Sequence, residues 1–156
     1  NAAINPEVRR VLRNRARYEV ANNAYAKGIV LTLANDTIGT GPRLQMLTDD
    51  ADANARIEDA FEQWSRAVDL PGKLRTMRLA RAESGEAFAL LINNPGIASA
   101  GSPVSLDLKL IEADQVCTPL LRRGRNDEID GIALDAWGNP SAYRVLKRHP
   151  GDSGVF

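Results

Sequence analysis

The fold is decided by the stretch at residues 22–45, which reads NNAYAKGIVLTLANDTIGTGPRLQ. Its middle, residues 29–38, carries apolar side chains around most of a helical circumference, which predicts a helix buried on several sides. Gly39, Gly41 and Pro42 follow at once. Glycine just past a helix adopts the left-handed cap conformation at little cost, and proline prevents continuation. We therefore predict a turn with positive φ at Gly39 or Gly41, followed by a strand at residues 43–47.

Upstream of this stretch, the sequence predicts a first helix that starts at Pro6, with Asn5 as its N-cap. Five apolar residues fall on one side of its helical wheel: Val8, Val11, Leu12, Ala16 and Tyr18. Four arginines fall on the other side and are candidate contacts to another subunit or to DNA: Arg9, Arg10, Arg13 and Arg17. A solvated face is the commoner use of such a row. Arg15 lies on the apolar side and is expected to need a carboxylate partner. Asn22-Asn23 is predicted to separate the two helices.

Downstream, the clearest helical pattern follows an acidic lead-in at residues 48–52. Ile57, Phe61, Trp64 and Val68 recur at i, i+4, i+7 and i+11, which predicts one apolar stripe in the core. The aromatic pair is therefore expected to pack rather than to stack on bases. Pro71-Gly72 is expected to stop this helix. Residues 74–82 are predicted to form another, which ends at Ser84-Gly85.

The second half of the sequence predicts mainly strands. Residues 86–93 are apolar on both faces, as in a central strand, and residues 106–110 alternate like a strand buried on one face. Residues 98–103 predict a loop and residues 120–128 an exposed excursion. A hairpin that turns at Gly138-Asn139-Pro140 and returns over Tyr143 to Leu146 is predicted to finish the chain. The predicted fold is a single α+β domain over 1–156, with a helical part (1–41) and a part with helices and sheet (42–156). Its amino-terminal helices would pack on a mixed, largely antiparallel sheet of about five or six strands.

Composition narrows the functional classes. The 156 residues are 44% hydrophobic, with twenty basic and twenty acidic residues, so the net charge of zero argues against tight, sequence-independent binding to nucleic acid. The charges are nevertheless segregated, because six of the eight charged residues in 1–30 are basic and seven of the nine in 49–69 are acidic. No apolar run reaches the ~18 residues of a membrane span, and we expect no membrane partner. The chain begins without methionine, and we expect it to be a piece of a longer protein.

The sequence offers little for catalysis or metal binding. His149 and Cys117 are the sole residues of their types, and neither has metal-ligand spacing around it. Gly39-Thr40-Gly41 follows a helix and lacks the rest of a phosphate-loop motif. Carboxylates cluster at two places, Glu112 with Asp114 and Asp127 with Glu128 and Asp130, where turn-forming and solvation roles are expected. We therefore predict no catalytic residue, no cofactor and no metal. A small hydrolase that uses Glu112 and Asp114 stays open as an alternative, as does a DNA-binding module that uses the first helix.

Several motifs, taken in order, resemble the lambda-type portal proteins of tailed bacteriophages. An arginine-rich helix ends in RYEVANNAYAKG, and the next helix closes on IGTGPRLQ. Three later features follow in the order of that family: the helix with Phe61 and Trp64, LIEADQV at residues 110–116, and DGI at residues 130–132 running through WGNP to YRV at residues 143–145. The resemblance spans nearly the whole chain.

The resemblance implies the amino-terminal wing part of a portal subunit. In that family, usually twelve copies form a ring at one capsid vertex. DNA passes through the ring without sequence specificity during packaging and ejection. The ring also serves as a docking platform for the packaging motor (terminase), which hydrolyses the ATP, and for capsid and head–tail connector proteins. The implied role is therefore structural rather than enzymatic. The implied location is the virion, with the host cytoplasm during assembly, and the channel-lining regions would lie mostly beyond Phe156.

Overall fold

The computed structural model describes residues 6–118 and 128–151. This part of the chain contains four long helices: α1 (Pro6–Asn22), α2 (Ala24–Ile38), α3 (Ala51–Ala67) and α4 (Leu70–Ser84). Five strands follow: β1 (Phe88–Asn93), β2 (Leu106–Ile111), β3 (Glu128–Ile129), β4 (Ile132–Leu134) and β5 (Pro140–Tyr143). Two 3₁₀ helices, Pro95–Ala100 and Ala113–Gln115, stand on either side of β2. The predicted α+β class is confirmed. None of the described helices is long and apolar enough to cross a membrane.

Local capping signals set the helix boundaries. Asn23 lies in an extended conformation between α1 and α2, and its side chain accepts hydrogen bonds from the N–H groups of Tyr25 and Ala26. The predicted separation at Asn22-Asn23 is therefore confirmed. Gly39 and Gly41 have φ values of 54° and 95°, so the prediction of positive φ in this turn is also confirmed. A Cβ atom on Gly41 would lie 2.6 Å from Cγ of Pro71, so the turn packs closely against the start of α4. Asn5, the predicted N-cap of α1, lies outside the described residues.

Pro71-Gly72 begins a helix instead of stopping one, which corrects the prediction. α3 ends at Ala67, and α4 starts at Leu70 with Pro71 in its first turn. The fixed φ of proline suits a first turn, where its missing N–H has no helical partner to lose. Asp69 caps this turn, because its carboxylate accepts the N–H of Gly72 at 3.3 Å.

Residues 43–47 form no strand, so this prediction was wrong. The segment is irregular, and the N–H of Met46 donates to the carboxylate of Glu58 at 2.7 Å. A strand needs a neighbouring strand to pair with its backbone N–H and C=O groups. Here the side chain of Glu58 in α3 accepts a hydrogen bond from one of those N–H groups instead.

The core lies where the end of α3 and the start of α4 meet β2. Val68, Leu70 and Ile97 are buried there, with Phe61, Trp64, Leu74 and Leu108 packed against them. The indole N–H of Trp64 donates to the backbone oxygen of Leu106 at 2.6 Å, which satisfies the polar atom of this ring. Three members of the predicted stripe, Phe61, Trp64 and Val68, therefore belong to this cluster. Ile57 does not, since 44% of its surface is exposed.

α2 is less buried than predicted. Ala34 is its only buried residue, whereas Ile29 is 68% exposed and Leu33 is also exposed. The helix packs against α4 on one side and meets α1 near Asn23. Two neighbours cannot cover a helix that is apolar on all sides, so one apolar face remains open.

The strands form two small antiparallel sheets instead of the single sheet predicted. β1 pairs with β2 from Phe88↔Ile111 to Asn93↔Leu106, and β4 pairs with both β3 and β5. β1 is therefore not a central strand, and Leu91 is 72% exposed. A terminal hairpin is present as predicted, but its position differs, because β5 covers Pro140–Tyr143 and so includes the proline that was predicted in the turn.

β2 was predicted to bury its leucines on one face, but one of its buried residues is charged, so this prediction was wrong in part. Asp107 is buried, while Leu106 is exposed. Lys73 donates to Asp107 at 2.5 Å and Asn94 at 2.9 Å, so this carboxylate keeps hydrogen-bond partners in the protein interior. The loop predicted at residues 98–103 is in part helical, because the 3₁₀ helix Pro95–Ala100 covers its first residues. Most of the predicted excursion at residues 120–128 lies outside the described residues.

Candidate functional site

The arginine face of α1 points towards the rest of the protein. Arg9, Arg13 and Arg17 recur at i, i+4 and i+8, which places them on one face of the helix, and all three form ion pairs with carboxylates on other elements. Val11, Leu12 and Tyr18 are exposed. The prediction of a solvated arginine face opposite a buried apolar face is therefore wrong for these residues. The reason is that carboxylates on other elements pair with these arginines and draw them towards the body of the domain.

The other two arginines of α1 face solvent. Arg10 is exposed, and its nearest carboxylate is that of Glu7 at 3.9 Å. Arg15 is exposed too, so the prediction that it lies on the buried side and needs a carboxylate partner was wrong. Among the four candidate contact residues, Arg10 is the one whose guanidinium stays available at the surface.

Arg13 is the centre of the ion-paired group. Its Nη2 lies 2.5 Å from Oε1 of Glu86, and its Nη1 lies 2.8 Å from Oδ1 of Asp114. Only 10% of its side-chain surface is exposed. Both carboxylates are at hydrogen-bonding distance, so this guanidinium joins two parts of the chain that are distant in sequence.

The neighbouring arginines extend the same group at both ends. Arg9 donates to Glu86 at 2.8 Å and to Asp130 at 2.7 Å. Arg17 donates to Asp114 at 2.5 Å and to the hydroxyl of Ser84 at 3.2 Å. We call the whole group the arginine–carboxylate network, and it comprises Arg9, Arg13, Arg17, Glu86, Asp114 and Asp130. Three positive and three negative charges balance within it.

Local backbone geometry positions each carboxylate. Glu86 follows Gly85, which ends α4 in the left-handed conformation with φ of 83°. Asp114 lies in the short 3₁₀ helix Ala113–Gln115. Asp130 itself has a φ of 48° in the turn between β3 and β4, and Gly131 follows with φ of 81°. A Cβ atom on Gly131 would lie 2.7 Å from the backbone nitrogen of Cys117, so only glycine fits beside the backbone at Cys117.

The electrostatics of the network favour the ionised form of Asp114. Burial alone would raise the pKa of Asp114, but hydrogen bonds from Arg13 and Arg17 outweigh it and hold the pKa below its ordinary value. Burial, with Asp130 and Asp114 nearby, raises the pKa of the Cys117 thiol, which disfavours a reactive thiolate. The Nε atom of Arg13 is buried without a hydrogen-bond partner. The network is thus well paired in charge but not completely satisfied in hydrogen bonds.

His149 lies beside the network and meets both carboxylates of the Glu112–Asp114 pair. Its Nε2 is 3.4 Å from Glu112 and 3.8 Å from Asp114, and the three groups could in principle approach one metal ion. However, the N–H of Gly151 donates to Nδ1 at 3.0 Å, which in the neutral ring leaves the proton on Nε2, the atom that would have to bind the metal. Both oxygens of Asp114 already accept hydrogen bonds from arginines. These contacts therefore do not favour a metal ion or a catalytic base at this place.

The second predicted carboxylate cluster is also used in internal contacts. Glu128 accepts two hydrogen bonds from Arg144, at 3.0 and 2.8 Å, and one from Thr118 at 2.9 Å. Asp130 belongs to the arginine–carboxylate network. Asp127 lies outside the described residues. Sequence reasoning named Asp114 and Asp130 but linked neither to α1, and it missed Glu86 altogether.

This geometry defines a class: an α+β domain in which the charged clusters of the described residues hold secondary-structure elements together. Residues 1–156 match the phage portal proteins of the lambda family, and the chain belongs to that family. The resemblance seen in the sequence is confirmed. The chain is also similar to a protein described as "Probable portal protein" from Halomonas phage phiHAP-1, with 29% identity over 160 residues. That match covers 91% of this chain and 30% of the relative, so the chain spans about a third of its length.

Proposed function

We propose that this chain is the amino-terminal wing part of a structural subunit of the portal ring, at one vertex of a bacteriophage capsid. The observation that carries the proposal is the family match, which extends over residues 1–156. In this role the ring is the conduit for DNA and the docking platform for the packaging motor (terminase) and the head–tail connector. The subunit works in the virion, and in the host cytoplasm during assembly. We infer that residues 1–156 form one domain of a longer chain.

The distribution of charge supports a conduit that does not grip DNA through this domain. Three of the four arginines that were candidate contacts to another subunit or to DNA are instead paired with Glu86, Asp114 and Asp130. Phosphate binding would have to compete with those carboxylates. Affinity for DNA should therefore be no tighter than the ~10⁻⁴–10⁻⁶ M of nonspecific contacts, and strongly salt-dependent.

Exposed apolar surface supports assembly with copies of the same chain. Tyr25, Ile29 and Leu33 line an open groove along α2, and large apolar groups left exposed on one face commonly mark contact surfaces. A ring joins two different patches of each subunit, one to each neighbour. The open face of α2 fits a share of such a contact.

The hydrolase alternative gains nothing from the geometry. Asp114 is held by Arg13 and Arg17, and its pKa lies below the ordinary value. A general base works best when its pKa is near the working pH. A portal subunit requires no such group, because the motor protein would supply the hydrolysis.

Motor docking provides the functional test. The longer chain that contains these residues should retain the large terminase subunit of the same phage on a column, while a ring of an unrelated portal protein should not. Failure to retain the terminase would contradict the docking role. A filter-binding titration of residues 1–156 with nonspecific duplex DNA distinguishes the portal role from the alternative of a DNA-binding module. Nanomolar, salt-insensitive binding would favour that alternative over the portal role.

A further inference from the structure

We propose that α1 is a strap fastened to the domain chiefly by the arginine–carboxylate network, and that acid releases it while the rest of the fold persists. The proposal is independent of the portal role. It rests on one juxtaposition: the guanidinium groups of Arg9, Arg13 and Arg17 face the carboxylates of Glu86, Asp114 and Asp130.

Burial distinguishes α1 from the helices that make the core. Among residues 7–22, no residue is buried. Three of its larger apolar residues, Val11, Leu12 and Tyr18, face outward. By contrast, Leu70 of α4 is buried, as is Val68 just after α3. The hydrophobic effect that holds α3 and α4 in place therefore contributes much less to α1.

Sharing of carboxylates makes the fastening cooperative. Glu86 serves Arg9 and Arg13, and Asp114 serves Arg13 and Arg17. Neutralising one carboxylate thus weakens two arginine contacts together. Arg13, which lies between the two carboxylates, would lose a partner in either case, and its Nε already lacks one.

The direction of the pH effect follows from the ionisation of the carboxylates. Arg13 and Arg17 hold the pKa of Asp114 below its ordinary value despite partial burial, so α1 stabilises the ionised form and is in turn stabilised by it. This stabilisation is complete above the ordinary pKa of Asp and disappears as pH falls through the lowered one. Two further groups face Asp114 from outside the network, Glu112 and His149.

Release of the strap would uncover two surfaces of different charge. The inner face of α1 would present three arginines, and the site it leaves would present the three carboxyl groups that paired with them, which acid neutralises. Asn23, extended between α1 and α2, provides the point about which the strap can turn. A switch of this kind changes which charges a neighbouring molecule meets without unfolding the core.

Amide hydrogen exchange tests the proposal. Protection factors are measured for amides of α1 and of α4, each relative to intrinsic rates, from about pH 7 down to about pH 2, which lies below the ordinary pKa of Asp. We expect protection in α1 to fall at least about tenfold more than in α4 over that range, because local opening then needs less free energy than global unfolding. Equal protection of the two helices at every pH would overturn the proposal, since α1 would then open only when the whole domain unfolds.

A matched pair of variants provides the second readout. Asp114→Asn removes the shared charge, and Glu62→Gln removes a carboxylate that pairs with Arg66 on the exposed surface of α3. We expect Asp114→Asn to lower α1 protection selectively already at about pH 7, and Glu62→Gln to leave it unchanged. Unchanged α1 protection in folded Asp114→Asn would overturn the proposal. If that variant does not fold, the pH comparison on the unmodified chain decides.

Discussion

Arg13 and Asp114 lie 101 positions apart in the sequence, yet Nη1 of the arginine donates to Oδ1 of the aspartate at 2.8 Å. This contact joins the first helix to the connection between the two sheets. It also explains why α1 turns its charged face inward, because the carboxylates that neutralise it lie on the body of the domain. A row of arginines that looks like a surface for a partner is, in this fold, mostly an internal contact.

Removing Arg13 should destabilise the protein strongly. Arg13→Met leaves Glu86 and Asp114 short of a partner, and breaking a largely buried ion pair costs roughly 3 kcal/mol. Arg10→Met is the control. Arg10 is exposed and pairs with the exposed Glu7, and exposed ion pairs contribute only ~0–1 kcal/mol to stability. Chemical denaturation measures both. Equal, small losses for the two variants would show that the network contributes little to stability.

The stability of the domain should decrease as the solution becomes acidic. Lys73 and Asn94 lower the pKa of Asp107, and Arg13 and Arg17 lower that of Asp114 against the effect of burial. A group with a lowered folded-state pKa stabilises the fold above its unfolded pKa, and this contribution is lost as pH falls. The free energy of unfolding should therefore decline from about pH 5 downward. Asp114→Asn should show a shallower decline, and an unchanged slope would contradict the assignment.

Trp64 should prove a core residue. Its ring packs against the buried cluster, and its N–H is bonded to Leu106, so Trp64→Ala should cost roughly 3–5 kcal/mol. Ile57 lies on the same helix but is largely exposed, and Ile57→Ala should cost less than about 1 kcal/mol. Urea denaturation of the two variants gives the comparison. A loss at position 64 as small as that at position 57 would revive the base-stacking interpretation.

Gly41 should resist substitution. Its φ is 95°, and a Cβ there would collide with Pro71, so Gly41→Ala should destabilise by more than about 1 kcal/mol. Gly28 is the matched control. It lies inside α2 with open space around its Cα, so Gly28→Ala should stabilise by about 0.5–1 kcal/mol. Thermal unfolding distinguishes the two, and a neutral Gly41→Ala would show that the turn relaxes.

Local signals allowed much of the helical part to be predicted. Asn23, Gly39 and Gly85 act within one turn of the helix that they cap, so a single sequence is enough to recognise them. Non-local contacts were predicted less well. The pattern at residues 43–47 lacks a partner strand, and nothing in the spacing of Arg9, Arg13 and Arg17 reveals the carboxylates that turn them inward. The open face of α2 was missed because composition shows that a helix is apolar but not how many neighbours cover it.

The most direct test of the central claim is electron microscopy of the longer chain that contains these residues. A portal subunit must use a heterologous contact that closes by rotation, and the whole chain supplies the area for it, well above ~1,000 Å² per stable contact. Light scattering on residues 1–156 alone should therefore show a monomer or weak association. Micrographs of the longer chain should show rings with a central hole. A two-fold dimer in both samples, with no rings, would contradict the account, because an isologous contact is complete at two subunits.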